Sequence, residues 1–327
     1  MSAREIVAAV GAGRMGRGIA VVFAYAGHDV HLIDVKERPA EDVERLRADA
    51  LKEITDTLNV LAELGMMPAS AVAAIVARVK VHGLADASSA LAKADVIFEG
   101  VPETLDAKRH AFKIVSDVAR PDAIVASTTS TILSDTLQEF VAPPGRFLNA
   151  HWLNPAYLVP LVELSPGRQT DPAVTQKLKM LLEGIGKVPV VCTASPGYIV
   201  PRIQALAMNE AARLVEEGVA TAEDIDKATR YGFGFRFAVL GLLEFIDWGG
   251  GDILYYASRY MQEATGEDRF AAPRIIEDNM AAGRTGLRAR RGFLDYSTMD
   301  VEQYRRERLK AFVAMLRHMN MVRPPAD

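Results

Sequence analysis

The chain has 327 residues, half of them hydrophobic, which is enough for two domains with substantial cores. Its formal net charge of −4, with both signs interspersed, argues against a nucleic-acid surface, and no apolar run reaches the ~18 residues that a membrane span needs. The single cysteine, Cys192, excludes a disulfide framework and a cysteine metal site; no histidine pair stands at ligand spacing, so no metal is expected.

Ile6–Val10 is a short apolar run and predicts a strand buried on both faces of a parallel sheet. It begins so near the N-terminus that no signal or transit peptide is expected, and the cytoplasm is the default compartment. Gly11-Ala12-Gly13-Arg14-Met15-Gly16 follows. A helical pattern then places Ile19, Val22, Phe23 and Ala26 on one face and ends at Gly27, before a second strand, Val30–Ile33, that leads to Asp34. Strand, glycine loop, helix, strand and acid in this order form a dinucleotide-binding unit. Gly11 allows the tight turn, Gly13 lets backbone approach a pyrophosphate, and Gly16 lets helix and strand pack closely. The first-turn N–H groups of the helix, at Arg14 and Met15, face the phosphates with the positive end of the helix dipole. A carboxylate at Asp34 binds ribose hydroxyls and repels a 2′-phosphate, which favours NAD over NADP, although Lys36 and Arg38 stand nearby.

The spacing of Val43, Leu46, Ala50, Ile54, Leu58, Leu61 and Leu64 predicts one long helix over 39–65, and Pro68 opens another through Ala77. Further strands are expected at Val79–Val81, Asp95–Val101, Ala123–Ser127, Phe147–Trp152, Val159–Leu164 and Val188–Val191, with a helix from about Glu103 to Ala119. After Ser195-Pro196-Gly197 only helical periodicities remain, at about 198–217, 221–231, 237–247, 251–264 and 301–318. The fold class is therefore α/β: a doubly wound, Rossmann-type sheet over residues 1–193, then an all-α substrate and dimerisation domain over 194–327. The tail Pro324–Asp327 is expected to fray.

Two strand ends carry unusual polar residues. His151-Trp152-Leu153-Asn154-Pro155 ends one, and Glu163 interrupts the otherwise apolar Val159–Leu164. A carboxylate in such a run is costly to bury unless it is paired. Antiparallel return of the second strand would bring it to His151, fixing the imidazole tautomer and stabilising the imidazolium. The other ring nitrogen is then free to take the proton of an alcohol whose hydride leaves for a nicotinamide. Taken alone, a histidine at a strand end is more often bonded only to backbone; the acidic partner and the nucleotide unit favour catalysis.

The chain resembles the L-3-hydroxyacyl-CoA dehydrogenase superfamily over nearly its whole length. The matching motifs are Gly11–Gly16 with Asp34; Val101-Pro102-Glu103 with Lys108; Ser127-Thr128-Thr129-Ser130; His151-x-x-Asn154-Pro155; Glu163; Ser195-Pro196-Gly197-Tyr198-Ile199-Val200; and Gly283-Arg284-x-Gly286-x-Arg288-x-x-x-Gly292-Phe293-x-x-Tyr296. The resemblance implies that His151 is the base, Glu163 its orienting carboxylate and Ser130 a hydrogen-bond partner of the reacting oxygen. It also implies that Glu103, Lys108 and Asn154 line the nicotinamide-ribose side, and that the helical domain forms a homodimer. Simpler structural roles stand beside these: Ser130 as the cap of a following helix, and Glu103 with Lys108 as a surface pair.

Two departures bear on the substrate. The family carries an asparagine directly after the Pro-Gly-aromatic-aliphatic-Val stretch, in contact with the substrate carbonyl; here Pro201 stands there, and Gln204, one turn on, offers an amide in its place. The segment Gly232-Phe233-Gly234-Phe235-Arg236-Phe237-Ala238 looks more like the branch containing L-gulonate 3-dehydrogenase (lambda-crystallin) and a dehydrogenase of pyridine-ring catabolism. In that branch the substrate is a free acid, and Arg236 is a candidate clamp for its carboxylate or a surface or interface arginine. The leading expectation is NAD-dependent oxidation of an L-3-hydroxyacyl-CoA. The alternatives are a dehydrogenase of a free, polar 3-hydroxy acid and a catalytically impaired NAD-binding protein.

Overall fold

The computed structural model describes residues 4–325, so Ala326 and Asp327 of the tail lie outside the described residues. The chain divides into two compact units, Met1–Ala207 and Met208–Asp327.

The first unit is built on an eight-stranded sheet: β1 Val7–Val10, β2 Val30–Ile33, β3 Val79–His82, β4 Val96–Glu99, β5 Ile124–Ser127, β6 Phe147–Trp152, β7 Leu161–Pro166 and β8 Val188–Val191. The strand order is β3-β2-β1-β4-β5-β6-β7-β8. All neighbours are parallel except β6 and β7, which run antiparallel. The strand order reverses between β1 and β4, where a doubly wound sheet opens a crevice beyond its carboxyl ends. The sheet is covered on both faces, as its apolar strands require. One layer packs α1 (Arg14–Tyr25), α2 (Ala40–Glu63), α3 (Val72–Val76) and, further along the chain, a Leu178–Leu182 helix onto Val7, Ala9 and Trp152. The other packs α4 (Leu84–Leu91), α5 (Leu105–Val118) and α6 (Ser134–Gln138) onto Ala8, Val10 and Phe147. The remaining helices here are α7 (Pro172–Gly184), which carries Leu178 and Leu182, and α8 (Val200–Glu216). The division between units falls inside α8, some way beyond the boundary expected at 193/194.

Sequence and structure differ at particular places. β7 starts at Leu161 and runs to Pro166, two residues later than its apolar run suggests. Val159 is held outside the ladder, its carbonyl accepting from the Lys187 ammonium at 2.8 Å. The helices α4, α6 and α7 escaped the periodicity reading. α7 nevertheless carries a start signal, because Asp171 caps the Ala173 N–H and Pro172 occupies the first turn.

The second unit contains α9 (Ala222–Ala228), α10 (Phe235–Phe237), α11 (Leu242–Gly249), α12 (Gly251–Thr265), α13 (Arg274–Ala281) and α14 (Val301–His318). Where one helix is expected over 221–231, α9 stops at Ala228 and passes into a π-helical stretch, Thr229–Gly234. The helix expected over 237–247 is broken at Gly241, whose N–H donates to the Glu244 side chain and so opens α11. α13 was not expected. The motif from Gly283 to Tyr296 wraps the buried Asp247, whose carboxylate accepts from the N–H groups of Phe293 (2.9 Å) and Leu294 (2.8 Å) and from the Tyr296 hydroxyl (3.2 Å). Gly286, at φ 106°, has to be glycine because a Cβ there would lie 2.3 Å from the Asp247 carbonyl oxygen.

Candidate active site

The glycine loop sits at the strand-order reversal. A Cβ on Gly11 would lie 2.6 Å from the Gly100 carbonyl oxygen after β4, and one on Gly16 would lie 2.0 Å from the Gly11 carbonyl oxygen. A Cβ on Gly13 would meet nothing within 4 Å, so this backbone faces open space. Gly13 precedes α1, and the first-turn N–H groups of Arg14, Met15 and Gly16 have no intrahelical acceptor. A cavity of about 610 Å³ opens alongside, lined by Gly11, Gly13, Asp34, Arg38, Val101 and Pro102 among others. These features fit a dinucleotide: donors and room for a pyrophosphate at Gly13, and a carboxylate for a ribose at Asp34. Asp34 is buried at the end of β2 and accepts a hydrogen bond from the Arg38 Nε. The basic residue that weighed against NAD thus spends its charge on the acid that favours it.

The antiparallel pairing of β6 with β7 sets His151 directly across from Glu163. His151 Nδ1 lies 2.8 Å from Glu163 Oε2. The other carboxylate oxygen, Oε1, accepts from the N–H groups of Ile199 and Val200, both at 2.9 Å. Burial alone would raise the Glu163 pKa. The hydrogen bonds from His151, Val200 and Ile199 outweigh it and leave this carboxyl below the usual range, so it stays ionised. His151 is 6% exposed. With Nδ1 committed to Glu163, Nε2 is the nitrogen that can accept a proton.

A second polar system lies beside it. Glu99, fully buried at the end of β4, holds the Lys108 ammonium with both oxygens at 3.1 Å and accepts from Val101 N–H at 2.8 Å and Ser127 Oγ at 2.6 Å. Lys108 also reaches Glu103 at 3.2 Å. Lys108 is 1% exposed, so the surface-pair alternative does not apply, and its immediate partners are these two carboxylates. The Glu103 Oε1 gathers the loop after β5: it accepts from the Thr129 hydroxyl, from Ser130 N–H at 3.0 Å and from Thr131 N–H at 3.1 Å. Burial raises the Glu103 pKa less than the Thr129 hydrogen bond and the Lys108 charge lower it, and the net direction is down. Ser130 is exposed and does not cap α6, which starts at Ser134 with Leu133 in the cap position.

Asn154 is exposed on the loop after β6 and borders a separate cavity of about 250 Å³, together with Arg14, Gly18, Tyr157 and the Arg17–Glu53 ion pair. Gln204 is exposed on α8, and Pro201 occupies that helix's first turn, where the missing N–H costs nothing. In the second unit Arg236 is exposed and holds its guanidinium over the Phe245 ring, 5.4 Å from the centroid. Glu99 and Asn149 went unrecognised in the sequence, and Ser127 and Tyr198 entered only as parts of motifs, with no role of their own. For Glu99 the signal was present: a carboxylate inside the apolar run Val96–Val101, the same feature that singled out Glu163. Among the described residues no group of three His, Cys, Asp or Glu side chains is placed to hold a metal ion, and no helix is long and apolar enough to cross a membrane.

A Rossmann sheet with an acid at the end of β2 and a carboxylate-braced histidine on β6, in a chain matched by an NAD-binding dehydrogenase domain, defines an NAD-dependent oxidoreductase that acts on a CH–OH group. The family models make the assignment specific. The NAD-binding domain of 3-hydroxyacyl-CoA dehydrogenase matches residues 6–195, and the C-terminal domain of the same enzyme matches 197–296. The chain belongs to the 3-hydroxyacyl-CoA dehydrogenase family. It is 30% identical over 313 residues to 5-formyl-3-hydroxy-2-methylpyridine 4-carboxylate 5-dehydrogenase of Mesorhizobium japonicum, covering 95% of this chain and 97% of that one. It is 33% identical to a 3-hydroxybutyryl-CoA dehydrogenase of Bradyrhizobium diazoefficiens, over 89% of this chain and 94% of that one. Among solved structures, a 3-hydroxyacyl-CoA dehydrogenase of Archaeoglobus fulgidus superposes with a TM-score of 0.75 at 29% identity, over 98% of this chain and all of that one.

Proposed function

We propose that the protein oxidises an L-3-hydroxyacyl-CoA to the 3-oxoacyl-CoA, reversibly, with NAD. The observation that carries the reading is the His151–Glu163 pair, 2.8 Å apart across β6 and β7, in a chain matched by both domain models of the family. NAD held in the crevice would supply the acceptor for the hydride of the carbinol carbon. Gly11, Gly13, Arg14, Met15, Gly16 and Asp34 would hold the dinucleotide, and Glu103, Lys108 and Asn154 would line its nicotinamide-ribose side. His151 takes the hydroxyl proton at Nε2, and Glu163 balances the imidazolium that results. The Ser130 hydroxyl donates to the reacting oxygen.

A second reading is a free, carboxylate-bearing 3-hydroxy acid as substrate. Pro201 in place of the family's substrate-contacting asparagine favours it, as does a relative named for a pyridine carboxylate that matches almost end to end. Gln204 and Arg236 are then the candidate contacts for the polar substrate. A substrate panel separates the two: NADH oxidation with acetoacetyl-CoA, against NAD reduction with L-gulonate and related acids. Turnover of the thioester supports the leading reading. Turnover confined to free acids replaces it with the second.

The homodimer belongs to the same proposal. Among the described residues of the second unit, the buried hydrophobic side chains are Ile225, Leu240, Ile276, Leu287 and Tyr296, while Ile253, Tyr256, Tyr260 and Leu309 are more than half exposed. A helical unit with so small a core and so much apolar surface is stabilised by a second copy. Light scattering on the purified protein should give twice the chain mass, and a monomer at micromolar concentration would refute the dimer. The expected cytoplasmic location stays a proposal that cell fractionation tests.

A further inference from the structure

We infer that Tyr198 is a positioning residue for the proton-transfer pair: its ring fixes the plane of the His151 imidazole and its hydroxyl ties that ring to the loop carrying Ser130. The inference rests on the reading of His151 as the base.

Four contacts converge on one turn. The Tyr198 ring stacks on the His151 imidazole, with centroids 5.0 Å apart and planes inclined by 4°. Its hydroxyl donates to the Thr129 carbonyl at 2.9 Å, next to Ser130. The same oxygen accepts from Asn149 Nδ2 at 3.0 Å, and Asn149 also donates to the Ile132 carbonyl at 2.9 Å. The N–H groups of the next two residues, Ile199 and Val200, grip the Glu163 carboxylate. One short segment therefore holds the imidazole by its face, the carboxylate by one oxygen and the hydroxyl loop by a carbonyl.

The backbone supports a dedicated role. Tyr198 lies at φ +46°, directly after Gly197 at φ +74°. A bulky side chain in the left-handed region is strained and persists only where the surroundings fix it. Tyr198 is buried, 6% exposed, and burial pushes its phenol pKa well above the ordinary value. It stays neutral, so it serves as a fixed hydrogen-bond relay and not as a proton source.

Two physical effects follow. An imidazole bonded only at Nδ1 can still rock about that bond, and a parallel ring in contact with one face limits the rocking, which keeps Nε2 on one line. The face of an aromatic ring also favours a neighbouring cation, so the stack supports the imidazolium formed when the alcohol proton arrives. Through Thr129 the same residue fixes the distance from Ser130 to His151, the two groups read as flanking the reacting oxygen.

Three variants test this: Tyr198→Leu removes stack and hydroxyl, Tyr198→Phe keeps the stack, and Asn149→Ala removes the amide that braces the hydroxyl. Each is assayed with NADH and acetoacetyl-CoA, or with NAD and L-gulonate if the panel selects the acid. NAD affinity is measured by fluorescence, and the His151 titration is followed by NMR of the imidazole carbons, which needs no substrate. In Tyr198→Leu we expect kcat to fall about 50-fold, NAD affinity to stay within twofold, and His151 to titrate at lower pH than in the parent. Tyr198→Phe should restore the parent titration and lose only about fivefold in kcat. Asn149→Ala should lose a similar factor, and the double variant should lose no more than either single one.

A parent-like kcat in Tyr198→Leu, an unmoved His151 titration, or a loss of NAD affinity equal to the loss of kcat would overturn the inference. If Tyr198→Leu does not fold, the Tyr198→Phe and Asn149→Ala pair decides, and multiplicative losses in the double variant refute the relay. His151→Ala in the same series keeps the two claims apart. Activity retained there sinks the base assignment, whereas an inactive His151→Ala beside parent-like Tyr198 variants sinks only the role of Tyr198.

Discussion

The two units of this chain solve the burial of polar groups in opposite ways. The first has an apolar sheet covered on both faces and places ionisable side chains deep inside it: Glu99 with Lys108, and Glu163 with His151, are buried as two pairs. The second buries few apolar side chains, and the one deeply buried carboxylate among its described residues, Asp247, folds a loop by accepting backbone N–H groups. The contrast separates chemistry from architecture. Buried charge is costly unless each ion has a partner, and the first unit meets that cost by pairing Glu99 at the end of β4 with Lys108 of α5, and Glu163 of β7 with His151 of β6.

If the buried charges of the first unit serve reaction and order together, removing them one at a time should show both effects. Glu163→Gln keeps the size of the side chain but cannot balance an imidazolium; kcat/KM in a steady-state assay should fall about 10³-fold, while NAD affinity, measured by fluorescence, stays as it was. Lys108→Met leaves Glu99 buried without its cation and should cost about 3 kcal/mol in urea unfolding. The same experiment on Arg288, which pairs with the part-exposed Asp252 in the second unit, should cost under about 1 kcal/mol. Equal costs would erase the comparison. Asp34→Ala removes the ribose acceptor and releases Arg38; NAD affinity should drop about tenfold and the preference over NADP should narrow, as read by KM for the two cofactors.

The smallest effect is one of pH. His31 Nδ1 lies 2.8 Å from His82 Nε2 across β2 and β3, and burial, with the neighbouring His82 and Lys80, lowers the His31 pKa from 6.5 to about 4. Between those values the unfolded chain binds a proton that the folded chain does not, so stability falls as pH drops from 6.5 to 4. A thermal melt series should show Tm declining through that window, and His31→Gln should flatten the decline.

The sequence made the nucleotide unit legible because its parts are local: strand, glycine loop, helix and acid lie within about thirty residues and each has a fixed backbone reason. His151 and Glu163 were legible for another reason, since a polar residue in an apolar run demands a partner. Glu99 carried the same signal and was passed over as part of a buried strand. Tyr198 and Asn149 gave no signal of that kind, because 49 residues separate them and only the sheet brings them together. In the second unit the helix breaks at Ala228 and Gly241 followed backbone geometry that hydrophobic spacing does not encode.

If His151 is the base that removes the alcohol proton, its loss should stop the oxidation and leave the nucleotide unit of the first domain intact. Single-turnover formation of NADH by His151→Ala, with NAD binding measured on the same sample, tests it most directly. Parent-like NAD affinity with NADH formation slowed by about 10³-fold or more is the expected result. NADH formed within tenfold of the parent rate would contradict it.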